Sequence, residues 1–259
     1  SVKENTVTVK WKKKSKIIIW VLVLIIIALG WALFNKKSQA PTVEDVPKEE
    51  VKATPITISE QDIKEANFTG SMSVIKGSGL LADAGRAYIE ETISSFKQSA
   101  DEEVPNMRES FGADSPTSNY EIILKATYVK VEKTESIIID EYVYTGGANG
   151  NSAYKVFTVS LSTGKILTLA DVIQPSKQGA FTSYVKDKLM TWKPEGSEGI
   201  AVFPEEVKGM TFSSFSDWSF GKNNLILYFD KFEIGPGVLG AVAFPLPFSK
   251  SREFFVAGY

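Results

Sequence analysis

The chain reads as an α+β protein, with antiparallel sheets packed with two main helices and preceded by one N-terminal transmembrane helix. Three observations lead there. Residues 17–34 form an unbroken apolar run without a charge. Strand-like segments then come in groups instead of alternating one-for-one with helices, which is the α+β pattern. Only two later stretches, 80–100 and 178–192, space their apolar residues three and four apart.

As a helix, the 18 residues 17–34 span about 27 Å, close to one hydrocarbon core. Trp20 and Trp31 stand near its ends, where amphipathic rings favour the headgroup level. Lys10, Lys12, Lys13, Lys14 and Lys16 precede the run, and only Lys36 and Lys37 follow closely. The positive-inside rule therefore puts residues 1–16 in the cytoplasm as a short tail and everything after the run outside. Ser38-Gln39-Ala40 also fits a small-x-small cleavage pattern, so a signal peptide cut after Ala40 stands beside an uncleaved anchor. The run is longer than an ordinary signal h-region, which favours the anchor. Both readings export the same domain. Residues 35–54, polar and interrupted by Pro41 and Pro47, read as an extended tether.

The body divides in expectation into two α+β subdomains, 55–150 and 151–259. Ile56-Thr57-Ile58 opens a short strand. A helix over 80–100 presents Leu81, Gly85, Ile89, Ile93, Phe96 and Ala100 on one face, and Pro105 and the 112–116 stretch end it. Residues 120–131 alternate, with Tyr120, Ile122, Leu124, Ala126 and Tyr128 on one side. Residues 137–144 form a β-branched partner, and together they predict an antiparallel hairpin. A third strand covers 154–161, and the turn 162–165 leads into 166–169. The helix at 178–192 carries the stripe Phe181, Tyr184, Val185, Leu189 and Trp192. Strands near 218–220, 225–230 and 238–244 complete the chain, the first two joined by Gly221-Lys222-Asn223-Asn224, which has hairpin chemistry.

Composition excludes whole classes of chemistry. The 259 residues contain no Cys and no His. Ser-His-Asp and Cys-His nucleophile systems, His-containing zinc sites, disulfides and Fe–S clusters are therefore ruled out. An exported domain without disulfides points to a bacterial chain. The 29 basic and 31 acidic groups nearly cancel, but residues 1–37 hold eight Lys and one Glu, which leaves 21 basic and 30 acidic groups in the remainder. A body of that sign repels phosphates, which argues against nucleic acid as a partner and favours cationic ones.

The most distinctive stretch is Tyr142-Val143-Tyr144-Thr145-Gly146-Gly147-Ala148-Asn149-Gly150-Asn151. With Leu161-Ser162-Thr163-Gly164-Lys165-Ile166-Leu167-Thr168-Leu169-Ala170-Asp171 and the later Leu225 to Gly240 segment, it resembles an extracytoplasmic domain pair of bacterial envelope proteins. That PdaC-like and RsiV-like pair precedes the catalytic domain of peptidoglycan deacetylase C and forms the outer part of a lysozyme-sensing anti-sigma factor. The resemblance covers about residues 55–259. It implies a membrane-anchored binding module whose partner is peptidoglycan or a lysozyme-like protein, located at the bacterial cytoplasmic membrane with its N-terminus inside. The family pattern carries His where this chain has Asn149, and the deacetylase's metal-binding catalytic domain has no counterpart here.

The candidate ligand-binding residues are Tyr144, Gly146, Gly147, Asn149, Asn151, Tyr228 and Glu233. The loop at 146–151 combines three glycines and two asparagines, which favour a tight connection or bulge between strands first and, as the functional reading, close backbone approach to a ligand. Tyr228 and Glu233 precede the turn Gly235-Pro236-Gly237 and either line a groove or pack in a core. No catalytic, metal or cofactor residue is assigned. The adjacent carboxylates Glu90/Glu91, Asp140/Glu141 and Glu205/Glu206 read as surface charge, because glycoside hydrolysis needs a cross-cleft pair. The expectation is a non-enzymatic binder. A carboxylate-dependent wall hydrolase and a transmembrane sensor are the alternatives.

Overall fold

Two sheets, each covered by one main helix, build the part of the chain that the computed structural model describes: residues 54–259 apart from 114, 116–117, 195–198 and 200. The expected tail and membrane helix, and all but the last residue of the tether, lie outside the described residues. Among the described residues no helix is long and apolar enough to cross a membrane. These residues fall within one unit, Lys52–Tyr259.

The first sheet has the spatial order β1 (Thr57–Lys64), β2 (Phe68–Lys76), β3 (Tyr120–Lys130), β4 (Thr134–Thr145) and β5 (Asn151–Ser160). The expected β3–β4 hairpin forms, with Ala126 opposite Ile139. The sheet is not wholly antiparallel as expected, because β2 and β3 run parallel, with Gly70 opposite Ile122. A parallel pair needs a long crossover, and the helix α1 (Leu80–Phe111) supplies it. β5 pairs with β4 along its length, which places Asn151–Ser160 in the first sheet.

α1 packs on this sheet with the face its spacing predicts. Leu81, Gly85, Ile89, Phe96 and Ala100 are buried, Ile93 is partly buried, and Tyr120, Ile122, Leu124, Ile137 and Ile139 lie opposite. Each fully buried Leu, Ile or Phe among them contributes about 1.5–3 kcal/mol by leaving water. The helix runs well past its expected end and passes through Pro105. An interior proline costs a helix about 3 kcal/mol. Tertiary contacts beyond Ala100 offset that. Val104 is fully buried, the Asn67 amide donates to Asp101 at 2.8 Å, and Arg108 donates to Asn67 Oδ1 and the Ala66 carbonyl, each at 3.0 Å.

The second sheet is antiparallel, in the order β6 (Trp218–Phe220), β7 (Asn224–Phe229) and β8 (Val242–Pro247). β8 starts later than expected because residues 237–239 close a 3₁₀ turn first. Before this sheet come α2 (Leu169–Val172), α3 (Gln178–Met190) and α4 (Pro204–Gly209), and after it α5 (Phe248–Ser251). α3 buries Phe181, Val185 and Leu189 against Leu225, Leu227, Phe229 and Phe244. The segment 166–169 meets the first sheet only through the bridge from Ile166 to Val159, and then turns into α2. Thr168 and Asp171 make that turn a capping box, the Thr168 N–H donating to Asp171 Oδ2 at 2.7 Å.

The sheets meet at a seam of Ile138, Val156 and Tyr228, joined by Val129, Tyr154 and Ile226. The outer edge of β5 lies along this seam, and residues of the second half satisfy its backbone. Asp217 Oδ1 accepts the Val156 N–H at 2.8 Å, and Asp230 Oδ1 accepts the Tyr154 N–H at 2.9 Å. Lys155 pairs with the same Asp217 at 3.1 Å. The Thr158 hydroxyl donates to the Trp218 carbonyl at 3.0 Å, and Leu167 N–H donates to the Thr158 carbonyl at 2.8 Å.

Candidate functional site

Side chains on a strand alternate between faces, so Ile138, Asp140, Tyr142 and Tyr144 of β4 share the face turned away from α1. Ile138 is covered by the seam. Further along, Tyr142 and Tyr144 emerge at the floor of an open groove of about 430 Å³. One wall is Ala148, Asn149 and Gly150 from the β4–β5 loop. The other is the 3₁₀ turn Gly237–Leu239 with Gly240, and Lys231 closes one side. The two sequence-distant candidate segments thus meet around one cavity.

Backbone contacts fix this arrangement. Lys231 N–H donates to the Ser152 carbonyl at 2.9 Å, and Ala241 N–H donates to Ser152 Oγ at 2.9 Å. The Lys231 ammonium donates to the Gly150 carbonyl. Gly150 lies so close to the Tyr142 ring that a Cβ there would sit 2.4 Å from its carbons. Gly237 is constrained alike by the Phe232 ring, 2.5 Å from where its Cβ would be. Phe232 has φ of 71°, which is costly for an L residue with a bulky side chain. The residue is nevertheless 58% exposed, with the Lys231 ammonium 5.1 Å from its ring centroid, and Val238 is 75% exposed.

The candidate residues separate into three groups. Tyr144 and Asn149 line the groove. Gly146, with φ of 83°, and the exposed Gly147 shape the loop that carries Asn149, while the exposed Asn151 opens β5 opposite Val143. Tyr228 and Glu233 are placed differently. Tyr228 is buried in the seam, 5.0 Å from the Tyr154 ring, and its hydroxyl pairs with Ser219 at 3.0 Å. Glu233 is half-buried and accepts the Asp230 N–H at 2.8 Å, so it braces the turn that aims Asp230 at β5. Burial pushes the Glu233 carboxyl above the ordinary glutamate range. Tyr142, Lys231 and the backbone of Gly237–Gly240 belong to the groove but were not among the expected residues. Alternation two residues back from Tyr144 points to Tyr142, whereas no sequence signal joins β4 to residues 231–240.

Among the described residues no group of three or more Asp or Glu side chains is placed to hold a metal ion. The groove offers aromatic rings, one amide side chain, backbone polar groups and an ammonium, which suits binding through stacking and hydrogen bonds.

At the level of class, the chain is a mixed α+β protein with two sheets and few helices. More specifically, residues 170–249 match the family model described as Protein of unknown function (DUF3298). That segment runs from α2 to α5 and includes all of the second sheet. A DUF3298-family protein from Bacteroides fragilis shares the fold, with a TM-score of 0.51 and 14% identity over 79% of this chain and 95% of that one. A second, from Pseudomonas aeruginosa, aligns over 79% of this chain and 94% of its own at 15% identity, with a TM-score of 0.49. No curated protein matches the chain.

Proposed function

We propose that the chain is a non-enzymatic, membrane-anchored binding module of the bacterial cell envelope, and that the groove over Tyr142 and Tyr144 receives a cell-wall glycan. The observation that carries this reading is the meeting of the β4–β5 loop and the 231–240 segment over two tyrosines. Aromatic rings offer flat apolar faces to the C–H side of a sugar, and Asn149 with the surrounding backbone offers partners for hydroxyls. The apolar run at 17–34, its lysine flank and the resemblance to envelope domain pairs support the location.

The test is retention of purified muropeptides and, separately, of lysozyme by the full chain in detergent. Retention of muropeptides that Tyr144→Ala and Asn149→Ala abolish supports the proposal. Retention of lysozyme alone moves the ligand to a protein, with exposed Phe232 and Val238 as its contact. Retention of neither overturns the binding role.

A further inference from the structure

A second cavity, which shares no lining residue with the groove, has a different chemistry. It holds about 500 Å³ where the β3–β4 turn, the β6–β7 turn and the segment after β8 come together. Its apolar surface is a linked set of rings. Phe220 lies 5.7 Å from Phe248, 5.6 Å from Phe255 and 5.9 Å from Tyr259, the last pair stacked. Phe220 and Phe255 are buried, so this aromatic wall is held by the core beneath it.

Lys133, Lys222 and Arg252 also line the cavity, with Glu132 the one carboxylate side chain among its lining residues. Lys133 is directed by its bond to the Gly258 carbonyl, and the Arg252 guanidinium lies 5.7 Å from the Phe248 centroid. None of the three cations enters an ion pair among the described residues. The chain after residue 37 carries 30 acidic and 21 basic groups, so carboxylates to neutralise them were plentiful. Three cations against one carboxylate side chain repel one another on balance, and an anion placed among them reduces that repulsion.

We infer that this cavity binds a small anion with a flat apolar body, its phosphate or carboxylate held by Lys222 and Arg252 and its apolar face laid against Phe248 and Tyr259. The site is independent of the glycan groove. Aromatic walls exclude water on one side, which strengthens the charge contacts on the other.

The experiment is calorimetric titration of the full chain in detergent with phenyl phosphate, benzyl alcohol and inorganic phosphate. Phenyl phosphate is expected to bind more tightly than either fragment, and added salt is expected to weaken it. Lys222→Gln and Arg252→Gln, both at exposed positions, should each weaken it about fivefold with unchanged melting temperature. Tyr144→Ala should leave it intact, which separates this outcome from the fate of the groove. Monomeric dihexanoyl phosphatidylglycerol forms a second arm. If it binds more tightly than phenyl phosphate, with the same dependence on Lys222 and Arg252, the anion comes from a lipid headgroup. If it binds more weakly, the anion comes from a soluble molecule. The inference is overturned if phenyl phosphate does not bind, if benzyl alcohol binds as tightly, or if the two glutamine variants bind like the parent.

Discussion

β1 and β5 are the two outer strands of the same sheet, yet they meet their surroundings in opposite ways. β1 reads Thr-Ile-Ser-Glu-Gln-Asp-Ile-Lys and is exposed at most positions, with Glu60, Asp62 and Lys64 along it. Charged side chains on a free edge discourage another strand from pairing there. β5 reads Asn-Ser-Ala-Tyr-Lys-Val-Phe-Thr-Val-Ser and ends in three buried residues. Its free N–H groups are instead capped from within the molecule by Asp217 and Asp230. One edge is protected by what it repels and the other by what it binds. Only the second kind of protection has a by-product. The contacts of 230–241 with Ser152 and Tyr154 also hold the far wall of the groove over Tyr142.

This contrast breaks most readily at Asp217. Its side chain is only 16% exposed and serves both Val156 and Lys155. Asp217→Ala should lower unfolding free energy by about 3 kcal/mol, the scale of lost hydrogen bonds to a charged group. Asp217→Asn, which keeps an acceptor, should recover part of it in denaturant melts. Asp230→Ala leaves the Tyr154 N–H without its acceptor in a more exposed place and should cost about 1–2 kcal/mol. That variant should also lose groove ligand more than stability, as seen by comparing binding with melting. Phe232→Gly relieves the unfavourable φ and should raise stability by up to about 1 kcal/mol in denaturant melts. At the opposite edge, Glu60→Ala should change stability by less than about 0.5 kcal/mol. A large loss there would overturn the distinction between the edges.

A pH series sharpens the same contrast. Burial raises the Glu233 carboxyl above its ordinary value of 4.5. The folded state therefore holds that proton more strongly than the unfolded chain does. The resulting stabilisation is complete below the ordinary value and is lost as pH rises through the raised one. Glu233→Gln keeps an acceptor for the Asp230 N–H and has no such titration. The melting temperature of the parent relative to this variant should therefore fall across that window. A flat difference would remove the electrostatic role given to Glu233.

The parts of the fold legible in the sequence are those whose signal is local. β3 alternates over most of its length, β4 shows as a β-branched run, and the buried faces of α1 and α3 follow from apolar spacing. β2 left no such signal. In Phe-Thr-Gly-Ser-Met-Ser-Val-Ile-Lys the buried positions are Phe68, Ser73 and Ile75, which do not follow one alternation, and the buried Ser73 is polar because its hydroxyl accepts the Ala126 N–H. The end of α1 was misjudged because Pro105 is a local signal, whereas Val104, Asn67 and Arg108 act across the fold. The groove was half legible. Its glycine-rich loop stands out in the sequence, and Tyr142 follows from Tyr144. The role of Tyr228 did not emerge, since an aromatic beside a turn reads the same whether it faces a ligand or a neighbouring sheet.

The sealed edge of β5 also has a consequence in time. The caps at Asp217 and Asp230 lie 61 and 76 residues beyond the strand positions they serve. A chain synthesised from its N-terminus completes five strands before either aspartate exists. During that interval the first sheet carries an open, unsatisfied border beside the apolar patch of Ile138 and Val156. Long-range closure of this kind is slow relative to hairpin formation, and open strand borders are where nascent chains associate wrongly. The second half thus acts on the first as a covalently attached holding factor. A chain cut after Ser160 is expected to aggregate in light-scattering measurements even though each of its strands already has a partner.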